Sequence, residues 1–207
     1  MRTFLCSIVL CLCAFAMKAQ PPSLTDSIRT YLEEPARFTA KLQVKHSFIT
    51  GKPIRTFGLK LGLTHQNRVS YGLGMHIMGN GIQSPKLEDG TERHVRLFYG
   101  SLYFEYSFYH KEKWRVILPV HLGVGASWHK EIPLEGSTSI TDTRPVLMYE
   151  PAMGVEYQLF RYLAIGTEIG YRLMLVNNNN IPRQFTAPTW AVKLKINGSA
   201  LYNDMMK

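Results

Sequence analysis

Phe57-Gly58-Leu59-Lys60-Leu61-Gly62-Leu63-Thr64 sets its bulky apolar side chains on one face of an extended chain and Gly58, Lys60, Gly62 and Thr64 on the other. A strand points successive side chains to opposite faces, so this period of two reads as a strand and not as a helical stripe. The same alternation runs outward in both directions. Upstream, Leu42, Val44 and Phe48 oppose Lys41, Gln43, Lys45 and Ser47. Downstream, Val69 to Ile77 opposes Ser70 to His76, and Leu102 to Phe108 opposes Ser101, Tyr103, Glu105 and Ser107. Val116 to Val124 opposes Arg115, His121, Gly123 and Gly125, and Met153, Val155 and Tyr157 oppose Ala152, Gly154, Glu156 and Gln158. Ile165 to Leu173 opposes Gly166, Glu168, Gly170 and Arg172, and Trp190 to Ile196 opposes Ala191, Lys193 and Lys195. These are eight strands, each at or above the ~9–11 residues that cross a bilayer on a tilt.

The connections carry separate information. Asn67-Arg68, Lys111-Glu112-Lys113 and Arg161-Tyr162 are tight, whereas Gly79 to His94, Lys130 to Pro145 and Asn177 to Gln184 are long and polar. Short turns at one end and long loops at the other is the pattern of a membrane barrel with both termini in the periplasm. Gly51-Lys52-Pro53 is the one outer loop that is short.

Period two alone leaves open which face meets solvent. A soluble lipocalin-like carrier turns the apolar face inward around a ligand, and a membrane barrel turns it outward. Gly58, Gly62, Gly72, Gly74, Gly123, Gly125, Gly154, Gly166 and Gly170 all share the polar phase. Inside a narrow eight-stranded barrel, small residues leave room for the charged side chains that share the lumen. Aromatic side chains cluster at strand ends: Phe38, Tyr71, Phe108, Trp114, Phe160 and Tyr162 near the tight turns, and Phe48, Trp128, Tyr149 and Phe185 near the loops. Two aromatic belts suit the two interfaces of a bilayer. The expected fold is therefore all-β, an eight-stranded antiparallel transmembrane β-barrel over residues 37–198, with a C-terminal tail over 199–207.

The chain begins with Arg2, an apolar run from Phe4 to Met17, and Lys18-Ala19-Gln20 ahead of Pro21-Pro22. This is the order of a secretory signal peptide over residues 1–19, cleaved after about Ala19. The apolar run is too short for a spanning helix, which needs ~20 residues. Residues 20–36 are expected in the periplasm, with Leu24, Ile28 and Leu32 marking a short amphipathic helix that ends before Pro35. Removing 19 of the 207 residues leaves 188, and loss of Arg2 and Lys18 lowers the formal charge from +9 to +7. Cys6, Cys11 and Cys13 all lie in the leader, so the mature chain has no thiol for a disulfide or metal site. For an exported chain, outer-membrane lipid including lipopolysaccharide is the expected counter-charge, and nucleic acid is not.

Over roughly residues 37–198 the pattern resembles the small eight-stranded outer-membrane β-barrel proteins of OmpA or OmpW type within the porin families. The resemblance rests on alternation, loop asymmetry and belts, and implies an outer-membrane location. Such proteins usually end on a strand with a terminal aromatic that serves barrel assembly. Here Ile196 is followed by Asn197-Gly198 and a tail ending Met205-Met206-Lys207, so that role falls either to Tyr202 on an extended strand or to an internal signal.

The lumen phase carries both charges. Lys41, Lys45, Lys60, Lys193 and Lys195 come from the first, second and last strands; Glu105, Glu150, Glu156 and Glu168 come from the fourth, sixth and seventh, with Arg115 and Arg172 among them. The expected outcome is a salt-bridged plug, because eight strands leave just enough space for side chains. The alternative is a narrow channel or porin. His76, Glu105 and His121, with Ser101 as nucleophile, form a candidate acid–base set for an outer-membrane lipid hydrolase. The same residues equally make a hydrogen-bond network, and the expectation leans away from an enzyme. No cofactor or metal site is expected. The leading expectation is a structural or surface-interaction role, through loops that carry Lys86, Arg93, His94, Lys130, Arg144 and Arg183. Asn197-Gly198-Ser199 also matches a glycosylation acceptor formally.

Overall fold

The computed structural model describes residues 24–49, 51–79, 82–83, 91–133, 137–175 and 185–206. The leader and its cleavage site, Lys86, the run Asn177 to Asn180 and Arg183 lie outside these residues. The chain forms two units, Met1–Glu34 and Pro35–Lys207.

The first unit contains helix α1, Leu24–Leu32, with Asp26 in its first turn and Arg29 in its last. Those charges oppose the two ends of the helix dipole. The expected amphipathic helix before Pro35 is thus present.

The second unit is a closed antiparallel sheet. Its strands are β1 (Arg37–Ile49), β2 (Lys52–His65), β3 (Val69–Met78), a two-residue β4 (Ile82–Gln83), β5 (Glu92–Lys111), β6 (Trp114–Ile132), β7 (Ser139–Phe160), β8 (Leu163–Met174) and β9 (Ala187–Asn197). Neighbours run β3-β2-β1-β9-β8-β7-β6-β5, and a β3–β5 pairing closes the ring of eight. β4 lies beside β5 beyond the end of β3, with Ile82 opposite Val95. Closure leaves no edge, which lets a sheet carry apolar side chains outward into lipid.

Alternation fixes the two faces. Leu73 is 65% exposed, Val124 64% and Ile169 73%, all on the outside. Lys41, Lys60 and Arg172, on the other phase, are fully buried. The soluble-carrier alternative needs the reverse arrangement, so the fold stands against it. Lumen glycines do steric work. A Cβ on Gly62 would run into the Tyr103 hydroxyl and the Tyr71 carbonyl, and one on Gly74 would come 2.8 Å from Ser101 Oγ.

Three tight turns share one end. Arg68 N–H donates to His65 O at 2.8 Å across Gln66 and Asn67, whose φ angles are 47° and 58°. Positive φ at both central positions gives the twist a hairpin favours. Lys111 pairs with Trp114 around Glu112-Lys113, and Phe160 pairs with Leu163 around Arg161-Tyr162.

At the opposite end the strands are unequal, and here two expected loops are revised. β5 begins at Glu92, β6 runs to Ile132 and β7 starts at Ser139, so most of the segments Gly79 to His94 and Lys130 to Pro145 that are described are strand. Glu92 pairs with Ile132, and Glu131 with Ser139. β3 and β8 stop pairing at Phe98 and Met148. β5, β6 and β7 therefore continue as a ledge, about six residues or ~20 Å past the end of the β3–β5 pairing.

The tail also differs from expectation. Gly198–Met205 forms helix α2, with Asn197 as its N-cap accepting from Ala200 N–H at 3.3 Å. Asparagine at that position satisfies a free amide of the first turn and stops the strand. Tyr202 is therefore on a helix, 63% exposed, and not on an extended strand.

Candidate functional site: the charged lumen and its two ends

Eight strands send their polar phase into one narrow space, and the side chains meet across it. Lys41 of β1 donates to Glu105 of β5 at 2.5 Å. Lys45 pairs with Glu150 of β7, which also accepts from Arg172 Nε at 3.2 Å. Lys193 of β9 lies 2.5 Å from Glu156 and 2.7 Å from Glu168. Glu156 is also the partner of Arg115, and Glu168 accepts from Gln43 Nε2 at 2.7 Å. Each of the four carboxylates thus has a cation within the lumen. The gain is conditional. Removing one partner strands a buried charge, which costs several kcal/mol, while the intact pair adds little over an apolar filling.

Two other lysines differ. Lys60 lies 3.1 Å from His121 Nε2, and the ring of Tyr103 sits between Lys41 and Lys60, at 4.7 and 5.5 Å from their ammonium groups. Lys195 has no hydrogen-bond or ion-pair partner among the described residues and lines a cavity at the tight-turn end.

The arrangement expected for His76, Glu105 and His121 is not formed. Glu105 is held by Lys41, not between the imidazoles. Strand tilt slides neighbouring strands past one another, so equal distances from a turn do not mean equal depth. In the actual register, His76 lies opposite Tyr99 and His121 opposite Tyr103 and Glu150. His76 does meet Ser101, Nε2 to Oγ 3.0 Å, and stacks on Tyr99 at 4.5 Å. Its Nδ1 has no hydrogen-bond partner among the described residues. A serine–histidine pair acting as nucleophile and base needs a group to orient the base. Among the described residues none reaches Nδ1, and both side chains are buried.

Above the charges, toward the ledge, lies an apolar cluster: Ile54, Met78, Val95, Leu97, Tyr99, Val146, Met148 and Phe185. It caps the lumen. Phe185 is fully buried in it and so is not part of the outer aromatic belt. Its phase explains this: Phe185, Ala187, Thr189, Ala191 and Lys193 fall on one face of the chain, all buried. Outward aromatics nevertheless mark both ends. Phe38, Phe108, Trp114 and Phe160 are about half exposed near the turns, as is Phe48 near the loops.

On the ledge, Arg93 is held by Glu131 at 2.7 Å and faces Asp142 at 3.7 Å. Arg96 donates to Gly79 O at 3.1 Å, and His94 lies 3.7 Å from Glu92. Asp142 has φ 52°, a left-handed conformation that aspartate tolerates better than most residues.

The barrel is similar to the crystal structure of Neisserial surface protein A (NspA), with a TM-score of 0.54 and 12% identity over 79% of this chain and 99% of that one. It is also similar to the N-terminal β-barrel domain of Pseudomonas aeruginosa OprF, with a TM-score of 0.53 and 10% identity over 79% of this chain and 97% of that one. No family model and no curated protein sequence matches the chain. At these identities the likeness establishes the fold: the chain is a small eight-stranded barrel of the outer-membrane type.

Proposed function

We propose that this is an exported outer-membrane barrel with a closed lumen, working as a structural or surface-interaction protein through its β5–β6–β7 ledge. The observation that carries this reading is that the lumen is closed twice, by ion pairs through its middle and by the apolar cluster around Phe185 above them. A side-chain-filled interior leaves the outer surfaces to do the work. The bilayer location is supported by the apolar outer face, the aromatic strand ends and the signal-like start. The ledge is the longest projection of the sheet and carries Arg93, His94, Lys130 and Arg144; anionic lipopolysaccharide or a protein partner is the ligand class it suits.

The test has two stages. The full precursor is expressed in a Gram-negative host, and recovery in the outer membrane with a faster band before boiling is the expected result. A soluble periplasmic protein with no mobility difference overturns the membrane reading. Lipopolysaccharide binding is then compared between the wild type and a variant with Lys86, Arg93, His94, Lys130, Arg144 and Arg183 neutralised. Equal binding removes the surface role assigned to these charges.

A further inference from the structure

The tight-turn end of the barrel holds a cavity of about 240 Å³. Around it five cations, Arg37, Lys113, Arg115, Arg161 and Lys195, face a single carboxylate, Glu112. Arg115 is already engaged, with Glu156 and with Asn67 O at 3.3 Å. Lys195 is not. It is 5% exposed, has no hydrogen-bond or ion-pair partner among the described residues, and stands opposite Lys41 in the β1–β9 register. A buried ammonium without a direct hydrogen-bonded partner is unfavourable, and an anion in contact with it relieves that cost.

The surroundings favour such an anion. Arg37 and Arg161 also line a smaller hollow of about 170 Å³ with Ser199 and Ala200, at the first turn of α2. The main cavity is equivalent to the liquid volume of roughly eight waters. That suits a small polyoxyanion better than a drug-sized ligand, whose pockets start at about 300 Å³. Arginine forks offer paired donors that match phosphate oxygens.

We propose that this cavity is a phosphate-binding site, with Lys195 supplying the ammonium at its floor and Arg37 and Arg161 closing over the anion at its rim. The phosphate can be a soluble ion or the headgroup of an anionic lipid in the leaflet beside the turns. The site is at the end opposite the ledge and stands independently of the surface role proposed for the ledge.

The full mature chain is folded into nonionic micelles, and inorganic phosphate is titrated against chloride at matched ionic strength, with the urea midpoint and calorimetric affinity as readouts. In a second arm, vesicles of phosphatidylcholine with and without phosphatidylglycerol replace the micelles, with no added phosphate. Phosphate protects the wild type in micelles if the source is soluble, and phosphatidylglycerol alone protects it if the source is lipid. Lys195→Met weakens the effect by about tenfold or more, as expected for loss of one hydrogen bond to a charged group. Without anion the variant is at least as stable as the wild type, since it loses a buried charge that makes no direct ion pair. Should Lys195→Met fail to give the folded, heat-sensitive band, Arg161→Gln at the exposed rim carries the same comparison. The proposal fails if neither arm exceeds its control, if acetate protects as well as phosphate, or if the folded variant is protected like the wild type.

Discussion

Lys41 on β1 reaches across the lumen to Glu105 on β5, Nζ to Oε2 2.5 Å, with neither side chain open to solvent. β2 and β3 lie between those strands around the wall, so the contact braces parts of the barrel that the hydrogen-bond ladder does not join directly. Glu105→Ala leaves Lys41 buried without its partner and removes a third carboxylate from Lys193, 3.9 Å away. The expected loss is about 3–5 kcal/mol, read as a lower urea midpoint for unfolding from micelles. Lys41→Met with Glu105→Leu removes both charges together and is expected to recover most of that loss. A double variant no more stable than Glu105→Ala would show that the pair itself, and not the stranded charge, carries the energy.

Phe185 closes the other end. Its ring is fully buried among Met148, Leu97 and Val95, so Phe185→Ala is expected to lower stability by about 3–5 kcal/mol. Conductance in a planar bilayer is expected to stay at baseline for the wild type and for Phe185→Ala, because the ion pairs below the cap remain. Steady, ion-selective current through the wild type would put the channel reading ahead of the closed barrel.

The fold was legible in the sequence because period two, glycine phase and loop asymmetry are each local properties of the chain. Lys60 and Gly62 are inward because Leu59 and Leu61 are outward, and no tertiary knowledge is needed to see it. What escaped was depth. Whether Glu105 meets His76 or Lys41 depends on the stagger between strands, and the stagger is a property of the closed barrel. The apolar cap was missed for a different reason. Ile54, Val95, Leu97, Val146, Met148 and Phe185 keep the lumen phase of their strands between the quoted alternations and the loops, and carrying that phase outward from Thr56, Ser101, Glu150 and Lys193 finds all six. Asn197 shows the limit of motif reading: the residue that formally begins a glycosylation acceptor caps a helix.

His76 and Ser101 are the nearest approach to catalytic geometry in the lumen, 3.0 Å apart. Among the described residues the imidazole has no orienting partner on Nδ1, and both side chains are buried. Ser101→Ala and His121→Ala are each expected to leave the lipid profile of outer membranes unchanged when expressed beside the wild type. Loss of a deacylated or cleaved lipid species in either variant, with barrel folding intact, would return the hydrolase reading to first place.

Glu131 gives the ledge a pH dependence whose sign is fixed by its partners. The nearby Thr141 hydroxyl and then Arg93, whose Nε donates to Oε1 at 2.7 Å, hold its carboxyl below the ordinary value of 4.5. A carboxylate with a depressed folded-state pKa contributes stability that is present above the unfolded value and is lost as pH falls through the folded one. The ledge is therefore expected to be indifferent to pH from neutrality down to about 4.5 and to loosen below it. The contribution is small, because the group is near solvent and salt screens it. Amide exchange separates the ledge from the barrel: protection of Glu92–Arg96 and Lys130–Ile132 should fall with acid while that of Lys41–Lys45 does not, since the latter sit beside buried pairs. Glu131→Gln keeps the shape but removes the charge, so it should show the weakened ledge at neutral pH and no further change on acidification to pH about 4. If ledge and barrel instead lose protection together in the wild type, the ledge is not a separate unit of stability and Glu131 is not its acid-sensitive fastening.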